Sequence, residues 1–348
     1  MIALADADSS LPNLALMRLS TYFRAQGETV RLVRPRTRRT LWDGVPRVVY
    51  GSSIFTHATK ARAAIEREWG LVEWGGTGVD VASSLSTIDA SVEWDRVAPD
   101  YSLYPDFRAS LGFSQRGCRL RCGFCVVPQK EGKPRTVGTL GSIWRGAPHP
   151  RNVILLDNDP FGQPREAWQT LFREAREGRF KLCFSQGINV RLIDDESAAA
   201  LASIEYRDNE FQERRLYTAW DNLRDEGIFK AGVDRLARAG IPTKHLMVYM
   251  LVGYRESETW DDLWYRFTEL VSLGCLPYPM PYNRRTRPDL CAFERWVKRG
   301  LYRSVPWTDY AADGREDTRL RGTPARHESD AAWRRVVGDR KLIVGGRA

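Results

Sequence analysis

The chain has 348 residues, of which 43% are hydrophobic and 28% charged, with a formal net charge of +9. This balance describes a folded globular protein, not a disordered or fibrous one, and the length calls for two or three domains. No apolar stretch reaches membrane-span length. The start Met1-Ile2-Ala3-Leu4-Ala5-Asp6 lacks a secretory signal's basic start and long apolar run, so a cytoplasmic protein with no membrane partner is expected.

In chain order, Ile2-Ala3-Leu4-Ala5 predicts a short apolar strand. Pro12 opens a helix in which Ala15, Leu16, Leu19, Tyr22 and Phe23 recur at helical spacing, and Gly27 ends it. Further strands are expected over 29–33, 48–50 and 71–74, with a helix over 58–69 before the last. Strands alternating with helices predict a doubly wound, Rossmann-like α/β domain over residues 1–96. Residues 97–108 carry Pro99 and Pro105 without clear periodicity and are expected to form a linker.

From residue 109 the alternation resumes, with strand-like runs over 109–113, 153–157, 182–187, 216–221, 245–253 and 276–280. Helical patterns fall near 166–176 and 196–203, before Gly240, and near 260–273. Six βα-like repeats over 109–281 predict an open β/α barrel, in which chemistry gathers at the C-terminal ends of the strands. Residues 282–348 are expected to be a helical C-terminal extension. Its helix carries Phe293, Trp296, Val297 and Leu301 on one face, and it ends in a polar tail with a short helix around 331–337.

The positive charge is concentrated. Arg31, Arg34, Arg36, Arg38, Arg39 and Arg47 share their stretch with Asp43 alone; a second group comprises Arg116, Arg119, Arg121, Lys130, Lys133 and Arg135. Arg295, Lys298, Arg299 and Arg303 form a third. Basic surfaces with aromatic side chains nearby suit nucleic acid, through phosphates and stacking, and a plain solvated basic surface is the other reading.

The most specific feature is Gly117-Cys118-Arg119-Leu120-Arg121-Cys122-Gly123-Phe124-Cys125. Clustered cysteines in a reducing compartment favour metal or redox chemistry over disulfides. A four-iron cluster normally takes four cysteines, so three leave one iron open to a small-molecule ligand. Structural zinc would need a fourth ligand, usually from a second short cluster. His57, His149, His245 and His327 lie far from the triplet, and Cys183, Cys275 and Cys291 are scattered singly. No second cluster that could hold an auxiliary iron–sulfur centre is evident.

The C-x3-C-x2-C spacing, with Phe124 before the last cysteine, resembles the radical S-adenosylmethionine (radical SAM) superfamily. That resemblance implies a partial (β/α)6 barrel and a 4Fe-4S cluster on Cys118, Cys122 and Cys125. It also implies S-adenosylmethionine (SAM) chelated to the open iron and a one-electron reductant of flavodoxin or ferredoxin type. Phe124 is counted with the cofactor-binding residues. Asp157 or Asn158 stands where the family's Gly-Gly-Glu motif accepts the SAM ammonium. Ser185, Gln186 and Asn189 would line the pocket, with Arg191 paired to the SAM carboxylate, Asp221 ending the fourth strand, and Gly253-Tyr254 passing the adenine.

The N-terminal layout resembles the cobalamin-binding module of some members of that superfamily, in Ser52-Ser53-Ile54 and Gly75-Gly76. Asp8 replaces the cobalt-ligating histidine, so histidine ligation is excluded there and cobalamin remains an open second cofactor. The implied activity is formation of a 5′-deoxyadenosyl radical for C–H modification, whether methylation, rearrangement or oxidoreduction, of a nucleic acid, peptide or small metabolite. The catalytic residues beyond the cluster are not readable from the sequence. The competing reading is a non-enzymatic nucleic-acid-binding protein with structural zinc at the triplet.

Overall fold

The computed structural model describes residues 1–40, 43–282, 284–307 and 310. It divides into two compact units, residues 1–167 and 168–348. Each is mixed α/β and built on parallel strands.

The first unit opens with β1 (Ile2–Asp6), α1 (Leu14–Ala25), β2 (Val30–Val33), β3 (Val48–Ser52), α2 (Thr59–Trp69) and β4 (Glu73–Gly75). The four strands form a parallel sheet in the order β2-β1-β3-β4. Strand β1 is central and apolar on both faces, as a strand covered from both sides must be. Its Ala3 and Ala5 pack with Val33 and Val49 against Ile65 and Trp69 of α2. Its Ile2 and Leu4 face the other way, against Leu16, Leu19 and Phe23 of α1 and the buried Trp94. Asn13 starts α1 by accepting from the Leu16 N–H at 3.2 Å.

Residues 97–108, expected as a linker, are packed onto α1. Thr21 Oγ1 donates to Ala98 O at 2.6 Å, and Ser20 Oγ donates to Asp100 Oδ2 at 2.6 Å. Tyr104 is buried and donates to Asp6 Oδ2 at 3.0 Å. The side chains from this stretch reach partners far back in the chain, which is why no local periodicity announces them.

Next come β5 (Ser110–Gly112), β6 (Gln115–Arg116), α3 (Val127–Lys130), β7 (Arg135–Thr136), α4 (Leu140–Ile143) and β8 (Asn152–Leu155). Strands β5 and β8 pair in parallel, while β6 and β7 form a short antiparallel ladder. The β6–β7 ladder and the short helices α3 and α4 have too few residues to show a period in the sequence.

Helix α5 (Arg165–Glu177) leads into the second unit. There β9 (Lys181–Phe184), α6 (Asp195–Ala202), β10 (Glu205–Tyr206), β11 (Leu216–Ala219), α7 (Glu226–Arg238), β12 (Leu246–Val252), α8 (Trp260–Ser272), β13 (Leu276–Pro281) and α9 (Pro288–Lys298) follow. Strand β9 pairs with β10, and β11, β12 and β13 form a parallel sheet in chain order. The N–H of Ile188, just past β9, donates to Tyr217 O of β11 at 2.7 Å, which carries the order from β9 to β11.

Strand β12 alternates cleanly. Leu246, Val248, Met250 and Val252 are fully buried, and Met247, Tyr249 and Leu251 on the opposite face are half-buried. Strand β13 contains Pro277, Pro279 and Pro281 and is nevertheless a strand. The N–H of Tyr282 donates to Val252 O at 3.0 Å. By period-two alternation Leu276, Tyr278 and Met280 share that side, and the prolines turn toward the outer edge. An edge strand tolerates proline there because no donor is needed. The same substitution blocks further pairing, so the parallel array ends at β13.

Helix α9 packs Phe293 and Trp296 against Trp264 and Phe267 of α8, with ring centroids 5.5–5.9 Å apart, and Tyr302 and Trp307 join the cluster. The helix expected around 331–337 lies outside the described residues. No helix among the described residues is long and apolar enough to cross a membrane.

Candidate metal centre

The three cysteines lie between β6 and β7. Gly117 opens the loop at φ +82, and a Cβ there would sit 2.3 Å from Lys133 O, so only glycine fits. The far end of the loop comes back onto this point, with the Cys118 N–H donating to Gly132 O at 3.4 Å. All three cysteines are half-buried thiols. Burial pushes the Cys118 thiol up; the Leu120 N–H, 3.4 Å from its Sγ, opposes that, and Asp159, Cys122 and Cys125 add to it. The Cys125 N–H donates to Cys122 O at 3.0 Å, and Phe124 is exposed.

Three consecutive side chains after β8 hold the entrance to this loop. Asp157, fully enclosed, accepts from the Ser114 N–H at 2.7 Å, from the Gln115 N–H at 3.1 Å and from the Ser114 hydroxyl. Asn158 Oδ1 accepts from the Gly117 N–H at 3.0 Å. Asp159 accepts from Arg119 Nε at 2.7 Å and Nη2 at 2.9 Å, and from the Arg119 N–H at 3.3 Å. The buried Gln115 locks the set, accepting from the Asp159 N–H at 2.9 Å while its amide donates to Arg116 O and Gly117 O. Asp157 or Asn158 is the residue expected at the SAM ammonium; here Asp157 bonds Ser114 and Gln115, and Asn158 bonds the Gly117 N–H.

Several of the loop's cations have local partners. Arg116 pairs with Asp95 at 3.1 Å and Glu131 at 2.9 Å, and Asp95 also binds the buried Arg18 of α1 at 2.9 Å. Lys130 Nζ donates to Ser83 O at 2.8 Å and Val81 O at 3.3 Å, tying α3 to the loop after β4. In the first basic stretch, Arg31 pairs with Asp43, Arg38 with Glu68 and Arg47 with Glu28, while Arg34 lies over the Tyr104 ring.

The donor set suits an iron–sulfur cluster in its chemistry, because it is three soft thiols on one loop. Among the described residues no three or more His, Cys, Asp or Glu side chains are already gathered as a metal shell.

At the edge where cobalamin is the open second cofactor, Asp8 ties down the turn after β3. Asp8 accepts from the Ile54 and Phe55 N–H groups at 2.8 Å each and from Ser53 Oγ at 3.1 Å. Gly76, at φ +96, lies so close to the Ser53 backbone that a Cβ would meet Ser53 O at 2.5 Å. The turn after β3 and the turn after β4 thus fill each other's space.

In the second unit the expected residues lie at or just beyond the ends of β9, β11 and β12. Ser185 and Gln186 form the turn after β9, with Asn189 beyond it. Arg191 pairs with Asp225 at 2.7 Å and touches Asn189 Oδ1 at 3.3 Å. Asp221 accepts from the Leu251 N–H at 2.8 Å, and burial raises its pKa. The Gly253 N–H donates to Glu258 at 2.5 Å, and Tyr254 meets Tyr282 edge-on at 4.9 Å.

Sequence reasoning passed over the group that joins these ends. Arg266, 1% exposed, pairs with Glu258 and donates to Trp220 O at 3.0 Å and Leu251 O at 3.2 Å. A charged residue on the apolar face of α8, beside Leu263, Phe267 and Leu270, was the available signal.

No family model matches the chain, and neither a curated protein nor a solved structure gives a significant match.

Proposed function

We propose that the protein is a radical SAM enzyme whose second unit contributes strands to a partial β/α barrel. The observation that carries the reading is the three-cysteine loop, half-buried and held at its entrance by Asp157, Asn158 and Asp159. When bound, a 4Fe-4S cluster supplies the electron that cleaves SAM to a 5′-deoxyadenosyl radical. Cys118, Cys122 and Cys125 would hold it, and the clamp below the loop keeps Cys118 in a fixed place. The exposed Phe124 lies beside the last ligand, where a side chain can shield the site from water.

The polar strand ends of the second unit are the candidate ligand contacts of that unit. Arg191 is already paired with Asp225, so it can serve a carboxylate only by sharing its guanidinium. Cobalamin has no place in this proposal, so cobalamin-dependent methylation is set aside in favour of rearrangement, dehydrogenation or hydrogen-atom exchange. A one-electron reductant of flavodoxin or ferredoxin type is the required partner. A nucleic acid is one substrate class to test, by salt-dependent binding of generic RNA or DNA.

The deciding experiment is anaerobic purification and reconstitution, then SAM with dithionite and an assay for 5′-deoxyadenosine. Product that disappears in the Cys118, Cys122 and Cys125 variants supports the proposal. Stoichiometric zinc without iron or sulfide overturns it.

A further inference from the structure

We infer that Asp159 is a positioning residue for the iron–sulfur loop, holding Arg119 in place and cancelling its charge beside the cluster ligands. This inference rests on the radical SAM reading. Arg119, like Arg121, is placed between Cys118 and Cys122, so it adds a full positive charge to the span that joins two ligands. Its guanidinium meets Asp159 through two parallel N–H donors, at 2.7 and 2.9 Å, the planar fork that arginine makes with a carboxylate.

The carboxylate is 1% exposed and the guanidinium 35%, so the cation is drawn inward against a partner that cannot turn to solvent. Two further bonds remove the freedom to rearrange. The Arg119 backbone N–H also points at Asp159, and the Asp159 N–H is held by the buried Gln115 side chain. Asp159 therefore bears on both the position and the charge of Arg119.

A cluster gains negative charge on reduction, so nearby uncompensated positive charge favours the reduced form. The neighbouring cation Arg116 has its own carboxylates, Asp95 and Glu131, and stays compensated when Asp159 is changed.

The test is a potentiometric titration of the reconstituted full-length protein, followed by electron paramagnetic resonance. Asp159→Asn is expected to load iron and sulfide and to shift the midpoint potential to more positive values. In an Arg119→Gln background the same change is expected to bring the potential back close to the wild-type value, because both charges of the pair are then gone. Asp159→Glu keeps the charge and should restore the wild-type potential. A loaded Asp159→Asn protein with unchanged potential overturns the inference, as does an Arg119→Gln, Asp159→Asn double variant whose potential stays as far from the wild type as that of either single variant.

Should Asp159→Asn fail to fold, Arg119→Gln alone carries the test at pH 8. A more negative potential supports the inference, and an unmoved one overturns it. A wild-type protein that takes up no iron and sulfide is a different failure, since it removes the radical SAM reading itself.

Discussion

The backbone N–H of Ser114 donates to Asp157 Oδ1 at 2.7 Å, joining the turn after β5 to the turn after β8 across 43 positions of sequence. Burial pushes Asp157 up to about 6, against hydrogen bonds from Ser114 and Gln115 that favour its charged form. A folded-state pKa above the ordinary 3.8 means that stability is lost as pH rises through about 6. Asp157→Asn removes that loss, because an amide oxygen can still accept both N–H groups and the amide can donate to the Ser114 hydroxyl. The variant should exceed the wild type by up to about 3 kcal/mol at pH 7.5 and lose most of that advantage by pH 4.5. Urea midpoints at the two pH values check this, and a gap that does not change with pH would refute it.

Cys122→Ala should abolish deoxyadenosine formation while leaving the far-ultraviolet circular dichroism nearly unchanged. The loop's entrance is fixed by Asp157, Asn158, Asp159 and Gln115, none of which needs a metal. A variant that unfolds would point to a structural metal, since such sites supply folding energy directly.

The purified protein should not retain hydroxocobalamin through gel filtration, measured by its visible absorbance. Asp8→Ala should also lower stability, by about 1 kcal/mol, because the Ile54 and Phe55 N–H groups lose their acceptor in a partly solvated turn. Stoichiometric cobalamin binding by the wild type would show that the two turns part to admit it.

Phe293→Ala should cost about 3–5 kcal/mol, read by denaturant titration. Its ring is fully buried and meets Trp260, Trp264, Phe267, Trp296 and Trp307, so truncation leaves a cavity that rigid rings cannot close. A loss below 1 kcal/mol would mean that the cluster is loosely packed.

What the sequence determined by itself is local. The apolar run of β1, the helical spacing of Leu16, Leu19 and Phe23, and the alternation of strands with helices give the α/β class and nearly every long element. The cysteine spacing that carries the proposed chemistry is legible for the same reason, since ligands to one cluster can sit on one loop. What only the tertiary structure decided is how polar side chains are used. Asp8, Asp157 and Asp159 look alike as carboxylates in turns, and each finds its partners about 40 or more positions away. Tyr104 turns an apparent linker into packed structure through Asp6, 98 positions back. A period of 2.0 or 3.6 residues is written along the chain, whereas a hydrogen bond across the fold depends on which turns the packed sheets and helices bring together.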